Sequence, residues 1–187
     1  MTLPSLVDSR FRAAAAASGL VDVAYDVADS PLGPLFLAAT ERGLCRISYD
    51  AEPEAEEEQL ARGFGARVLR SPRALDEVQR ELDDYFEGRR QTFELPVDLA
   101  PVGEFQREVL LSLAARVPFG SVTTYGALAA ESGRPRAARA VGGAMNRNPI
   151  PIVLPCHRVV GSDHRLVGYA GGIERKIALL RLEGVEL

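Results

Sequence analysis

A two-domain α+β chain, with a small sheet-plus-helix domain in front and a mainly helical domain behind, is predicted by three observations on the sequence. Short alternating apolar segments joined by turn residues fill the region before residue 50. Apolar residues at helical spacing dominate after residue 103. Between the halves lies a proline- and glycine-containing stretch, residues 95–103, with Pro96, Pro101 and Gly103. The expected domains are residues 1–98 and 103–187. A length of 187 residues with 47% hydrophobic and 26% charged residues fits one large globular domain or two small ones.

In the front half, residues 21–27 (VDVAYDV) alternate apolar and polar side chains, and residues 35–39 and 43–48 read as two further strands. The SPLGP turn at 30–34 and Glu41-Arg42-Gly43 separate them, which predicts an antiparallel meander. Residues 52–62 form an acidic helix whose Glu54, Glu56, Glu57 and Glu58 make a solvated face, and residues 66–69 add a strand. Leu75, Val78, Leu82, Tyr85 and Phe86 give residues 73–87 a helical apolar stripe ended by Gly88. Cys45 lies in the third strand and reads as a buried small hydrophobe. Both histidines, His157 and His164, lie in the back half, so the front half cannot complete a metal site. The alanine run at 13–17 is shorter than the apolar core of a signal peptide, about 7–15 residues, and reads as a frayed or helical amino-terminal lead.

The back half opens with a helix over residues 104–116 carrying Phe105, Val109, Leu110, Leu113 and Ala114 on one face. A second helix begins at Thr123 or Thr124, either of which can cap it, and runs to Ser132. Gly133 breaks the chain, and Pro135 suits the first turn of a third helix reaching residue 146. Helix, short glycine-containing turn, helix is the helix-turn-helix pattern. The third helix is almost bare: Ala137, Ala138, Ala140, Gly142, Gly143 and Ala144 leave Arg136, Arg139 and Arg147 to project. Two glycines inside a helix cost about 1 kcal/mol each against alanine, so a compensating close approach is expected, either to the protein core or to a DNA groove.

Charge is unevenly placed. Residues 1–102 hold 11 Arg and 19 acids, while residues 103–187 hold 11 basic residues and 7 acids, so an overall net charge of -4 conceals a basic back half. Such asymmetry points to a nucleic-acid-facing region. No run approaches the ~18 apolar residues that span a bilayer, so no membrane residence is expected. Cys45 and Cys156 are read as reduced, and the expected location is cytoplasmic.

The chemistry converges on residues 148–159, NPIPIVLPCHRV. The apolar run Ile150, Ile152, Val153, Leu154 reads as a short buried strand or extended segment delivering Cys156 and His157 to the interior. Pro155 keeps Leu154 out of helical geometry. An ordinary cysteine thiol titrates near 8.5, so at neutral pH only a few per cent is the nucleophilic thiolate and a base is needed. Neighbouring side chains of an extended chain point to opposite faces. Activation of Cys156 by His157 therefore requires a turn after Cys156 or a bridging water.

The string PCHRV, the upstream ARAVGGAMNRNP at 138–149 and the downstream GYAGG, Lys176, LL and EG over 168–184 resemble the O6-alkylguanine-DNA alkyltransferases, closely from residue 105 to 184 and loosely before that. The resemblance implies a ribonuclease H-like front domain and a back domain that binds duplex DNA through the minor groove. The bare helix carrying Arg136, Ala138, Arg139 and Gly142 enters that groove, with Arg139 filling the gap left by a flipped base. It implies a base pocket formed by Tyr125, Pro151, the Val159 backbone, Gly168, Tyr169 and Ala170. Tyr125 contacts the guanine and supplies a proton. It further implies Cys156 as acceptor, His157 as base through water, Glu183 orienting His157, and Asn148 bracing the segment between helix and cysteine. The partner would be double-stranded DNA bearing O6-alkylguanine, with O4-alkylthymine as a second substrate. A monomer acting once per molecule is expected, with no cofactor and no metal; the zinc ligands that some members carry near the front are missing here. Two departures stand out: Ala170 replaces a serine often found after the pocket tyrosine, and no tryptophan is present, so Leu111 or its neighbours must fill the volume one occupies in relatives.

Three other readings remain at this level: a non-catalytic protein that recognises alkylated DNA, against which the presence of Cys156 counts; a Cys-His hydrolase, for which no oxyanion motif is evident; and an added regulatory role.

Overall fold

The computed structural model describes residues 21–163 and 165–186, so the alanine run at 13–17 lies outside the described residues. The chain divides into two compact units, one extending to Arg90 and including Glu94–Pro101, the other Gln91–Phe93 with Val102–Leu187.

The first unit is a four-stranded sheet in the order β3-β2-β1-β4, from β1 (Val23–Ala28), β2 (Leu35–Thr40), β3 (Gly43–Tyr49) and β4 (Val68–Arg70). The first three strands pair antiparallel, as their short turns require, while β4 returns parallel to β1 after helix α1 (Pro53–Phe64). Val23, Tyr25, Phe36, Ala38, Cys45 and Leu60 pack into one core, with Tyr25 and Phe36 stacked at 5.2 Å between ring centres. The stripe expected over residues 73–87 divides into a 3-10 turn, Pro72–Leu75, and helix α2, Asp76–Phe86. Residues 95–98, expected as linker, are instead tied to β3. Leu44 N–H donates to Pro96 O and Asp98 N–H to Leu44 O, both at 2.8 Å. Gly43 permits this: at φ +134°, a Cβ there would lie 2.2 Å from Pro96 O. Asp98 also accepts from Thr40 Oγ1 at 2.7 Å and Arg42 Nε at 2.9 Å.

The second unit is built on α3 (Glu104–Arg116), which buries Val109, Leu110 and Leu113. Ala114 is exposed, which narrows the expected face by one residue, and Leu111 is exposed while its neighbour Leu110 is buried. β5 (Thr123–Thr124) pairs parallel with β6 (Val159–Val160), joining the stretch before α4 (Tyr125–Glu131) to the end of the PCHRV segment. Thr124 caps α4 by accepting from Ala127 N at 3.1 Å. α5 (Ala138–Asn146) begins three residues later than Pro135 suggests, because a turn closed by Ala137 N–H onto Arg134 O intervenes. Helix α6 (Ile173–Leu182) completes the unit. Among the described residues no helix is long and apolar enough to cross a membrane.

Candidate active site

The segment Ile150–Leu154 is a turn, contrary to the expected strand. Leu154 N–H donates to Ile150 O at 2.9 Å, and Ile152 adopts φ +74°, a rare conformation for a β-branched residue. Pro149 and Pro151 explain why no ladder forms here: neither has an N–H to donate. Ile150 and Ile152 are nevertheless fully buried, so the apolar pattern reported burial and misreported shape. Asn148 holds the turn at both ends. Its Oδ1 accepts from Ile150 N at 3.0 Å, and its Nδ2 donates to Leu154 O at 2.7 Å and to Cys156 Sγ at 3.0 Å.

Cys156–Arg158 is a single 3-10 turn, so the change of direction that the Cys-His pair requires is present. Cys156 is 6% exposed and His157 wholly buried. Burial pushes the Cys156 thiol above its ordinary value, while a hydrogen bond from Asn148, the Lys176 ammonium and a hydrogen bond from Tyr169 pull it back. His157 is held below its ordinary value by burial, against the opposing pull of Glu183. Its Nε2 lies 2.9 Å from Glu183 Oε1, and its Nδ1 has no protein partner. The Glu183 carboxyl is drawn down to about 2: the His157 and Arg158 hydrogen bonds and charges outweigh a burial that pushes it up.

Two buried cations in this cluster were not singled out as functional from the sequence. Arg158 donates from Nε to Glu183 Oε2 at 2.9 Å, from Nη2 to Glu183 Oε1 at 2.8 Å, and from Nη1 to Val117 O at 2.7 Å. Lys176 Nζ donates to Val159 O at 2.6 Å and Val167 O at 3.2 Å. A signal for Lys176 was present: Lys176, Leu179, Leu180 and Glu183 stand at i, i+3, i+4 and i+7, the spacing of a buried helical stripe.

Of the other expected residues, Tyr125 is half-buried at the start of α4, its hydroxyl pushed up by burial and by the neighbouring Cys156. Its ring faces α5: a Cβ on Gly142 would lie 3.8 Å from it, an ordinary contact that does not by itself demand glycine. Pro151 and Val159 are buried; Gly168 and Ala170 are exposed and Tyr169 half-buried. Arg136 and Arg139 are exposed and Ala138 half-buried, while Val141, Ala144 and Met145 pack α5 inward. Gln106 Nε2 ties the end of α5 to α3 through Ala144 O at 3.3 Å and Arg147 O at 2.7 Å. Among the described residues no group of three or more His, Cys, Asp or Glu could hold a metal ion.

Fold and site together define a class: a helix-turn-helix unit in which a buried cysteine, supported by polar groups, stands beside a histidine–carboxylate pair. Comparison with known proteins makes this particular. Residues 23–99 match the 6-O-methylguanine DNA methyltransferase, ribonuclease-like domain, and residues 104–185 match the DNA binding domain of the same name. The chain is 42% identical over 160 residues to the methylated-DNA–protein-cysteine methyltransferase of Methanosarcina barkeri, covering 85% of this chain and 96% of that protein. It is 42% identical over 164 residues to the Homo sapiens protein of the same name, covering 85% and 79%. The crystal structure of Mycobacterium tuberculosis OGT in complex with DNA superposes with a TM-score of 0.75 at 38% identity, covering 86% of this chain and 92% of that one. The chain belongs to the methylated-DNA–protein-cysteine methyltransferase family. The ribonuclease-like front domain implied by the resemblance is thus borne out, and a non-catalytic recognition protein is not favoured.

Proposed function

We propose that this chain repairs DNA by accepting the alkyl group of O6-alkylguanine from duplex DNA onto Cys156, once per molecule. The observation that carries this reading is the arrangement around the sulfur. A buried thiol receives an Asn148 hydrogen bond, and the adjacent His157 has one ring nitrogen fixed by Glu183 and the other free to accept a proton through water. The target carbon is out of reach inside a stacked duplex, so the base rotates out, at a cost of a few kcal/mol that damaged pairing lowers. Exposed Arg139 on α5 fills the gap, with Arg136, Ala138 and Gly142 along the minor groove.

The extruded base lies between Tyr125, Pro151, Val159 and the segment Gly168, Tyr169, Ala170. The thiol proton passes to His157; the S–C bond forms as the C–O6 bond breaks; and guanine leaves with the electron pair, protonated from Tyr125. The product thioether has no regenerating group. Asn148 serves by holding the turn and the sulfur together. The protein acts as a cytoplasmic monomer without cofactor or metal.

Intact-mass and peptide mapping after mixing with a duplex carrying one O6-methylguanine tests this. The expected result is one methyl per molecule, on Cys156, abolished in Cys156→Ser with DNA binding retained. Label on Cys45, or on neither cysteine, overturns it.

A further inference from the structure

The buried charges of the second unit do not balance. Among its described residues Arg158 and Lys176 are buried cations, at 5% and 0% exposure, and Glu183 is the buried carboxylate. With Cys156 as a thiol and His157 neutral, one positive charge is left over; a Cys156 thiolate removes the excess. Arg158, like Lys176, makes and breaks no bond in the transfer reaction. Arg158 makes no hydrogen bond to the sulfur, yet its guanidinium forks both oxygens of Glu183 and fastens to Val117 O, at the carboxyl end of α3. Glu183 Oε1 is therefore shared between Arg158 and His157, while Oε2 takes Arg158 Nε and, at 3.4 Å, Gly120 N–H.

Building on the alkyl-transfer reading, we propose that Arg158 is a positioning residue of the reaction. By forking Glu183 it keeps His157 neutral, with Nδ1 as acceptor, and leaves the buried cluster one negative charge short, a place that the Cys156 thiolate fills. An ionised carboxylate hydrogen-bonded to a histidine ordinarily favours the imidazolium. A bidentate guanidinium on that carboxylate cancels its charge while leaving its hydrogen bond to orient the ring. The charged and titratable groups facing His157 are Glu183 and Lys176 from α6 and the turn after it, and Cys156 and Arg158 from its own turn. Burial, Arg158 and Lys176 all oppose protonation of the ring, and Glu183 alone favours it.

Removal of the Arg158 charge raises the pH at which the doubly protonated, unreactive pair of CysSH and imidazolium loses its first proton. The ring gives up its proton less readily, because Glu183, no longer neutralised, favours the imidazolium.

The test is the pH profile of single-turnover methyl transfer, in the full-length protein, from about pH 5 to pH 9. Arg158→Gln is expected to move the midpoint of the acid limb upward by about one pH unit or more. Arg158→Lys keeps the charge but not the fork: it should slow transfer at every pH and leave the midpoint near the wild-type value. Arg158→Gln with Glu183→Gln should return the midpoint to the wild-type value or below. A residue that merely held the fold together would lower the melting temperature without moving the midpoint. An unmoved midpoint in folded Arg158→Gln, or an equal shift in Arg158→Lys, overturns the proposal.

Should Arg158→Gln fail to fold, nitrogen chemical shifts of the His157 imidazole in the wild-type protein decide the matter. The ring should titrate below the ordinary histidine value of about 6.5, and titration at or above that value overturns the proposal. The imidazole measurement needs no DNA, so failure of the wild-type protein to accept a methyl group would sink the repair reading and leave this result standing.

Discussion

The two cysteines are almost equally hidden, Cys45 at 2% and Cys156 at 6% exposure, and they stand in opposite chemical situations. Cys45 is packed among Val23, Tyr25, Phe36, Ala38 and Leu60, and its thiol donates to Ala38 O at 3.3 Å. Burial first, then the Asp98 charge, pushes its thiol up to about 12. Cys156 is also pushed up by burial, but Asn148, Lys176 and Tyr169 work against the penalty and His157 lies next in the chain. Burial alone makes a cysteine inert; what surrounds it in the interior decides whether it can become an anion.

The contrast is tested most severely by measuring both thiols in one molecule. At pH 8 a thiol titrating near 12 is ionised in only about one molecule in ten thousand. A small alkylating reagent acting on the folded protein should therefore modify Cys156 well ahead of Cys45, and the ratio of the two rates should collapse towards one in denaturant. Quantitative peptide mapping over time measures both rates. Comparable rates in the folded state would mean that the polar shell does nothing for the sulfur.

Next in size is the effect of Lys176. Replacing it with Met keeps most of the volume but removes the cation that favours the thiolate and the donor that joins Val159 O to Val167 O, just before Gly168. An opposite charge nearby shifts a titration by about one to three units, so the Cys156 thiol should titrate at least one unit higher and methyl transfer at neutral pH should fall about 10- to 100-fold. The Cys45 rate should stay unchanged. If the two cysteines slowed together, a general loosening of the fold would be the cause, and the electrostatic contrast would fail.

These contrasts also mark how far the sequence could be read. The sheet strands, the helical stripe of Val109, Leu110 and Leu113, the Thr124 cap and the Cys156-His157 pair follow from alternation, periodicity and local chemistry, which act over a few residues and are written directly in the chain. The shape of Ile150–Leu154 was not legible, because apolar β-branched residues favour strands while the prolines between them remove the donors a strand needs. Arg158 and Lys176 were missed for a different reason. Composition counts an arginine or lysine as a surface charge, and only long-range partners, Glu183 and Val117 O for one, Val159 O and Val167 O for the other, bring such groups inside. Residues 95–98 illustrate the same limit: their proline read as a linker, and their pairing with Leu44 depends on a glycine far earlier in the sequence.

The smallest expected effect compares the acid tolerance of the two units. Asp98 in the sheet unit has its carboxyl lowered by hydrogen bonds from Thr40, Ala100 and Arg42, which outweigh burial, and Glu183 in the other unit is lowered to about 2. For both, the unfolded chain takes up the proton first as pH falls. Their stabilisation is complete above about pH 5 and is lost as pH drops through the folded-state values. His157 differs, because its folded-state value is lowered by burial. The unfolded ring binds a proton from about pH 6.5 downward while the folded one resists, so stability falls in a window where carboxylates stay ionised in both states. The loss grows as pH falls through the ordinary histidine range, and it falls on the unit that holds His157. Amide hydrogen exchange separates the two: between pH 7 and 5.5, corrected for intrinsic rates, protection should decline at Val109 and Leu113 while Leu37 and Ile47 hold. His157→Gln should abolish that decline. Loss of protection in the sheet first would place the acid-sensitive group outside the active site and remove the basis for a neutral His157.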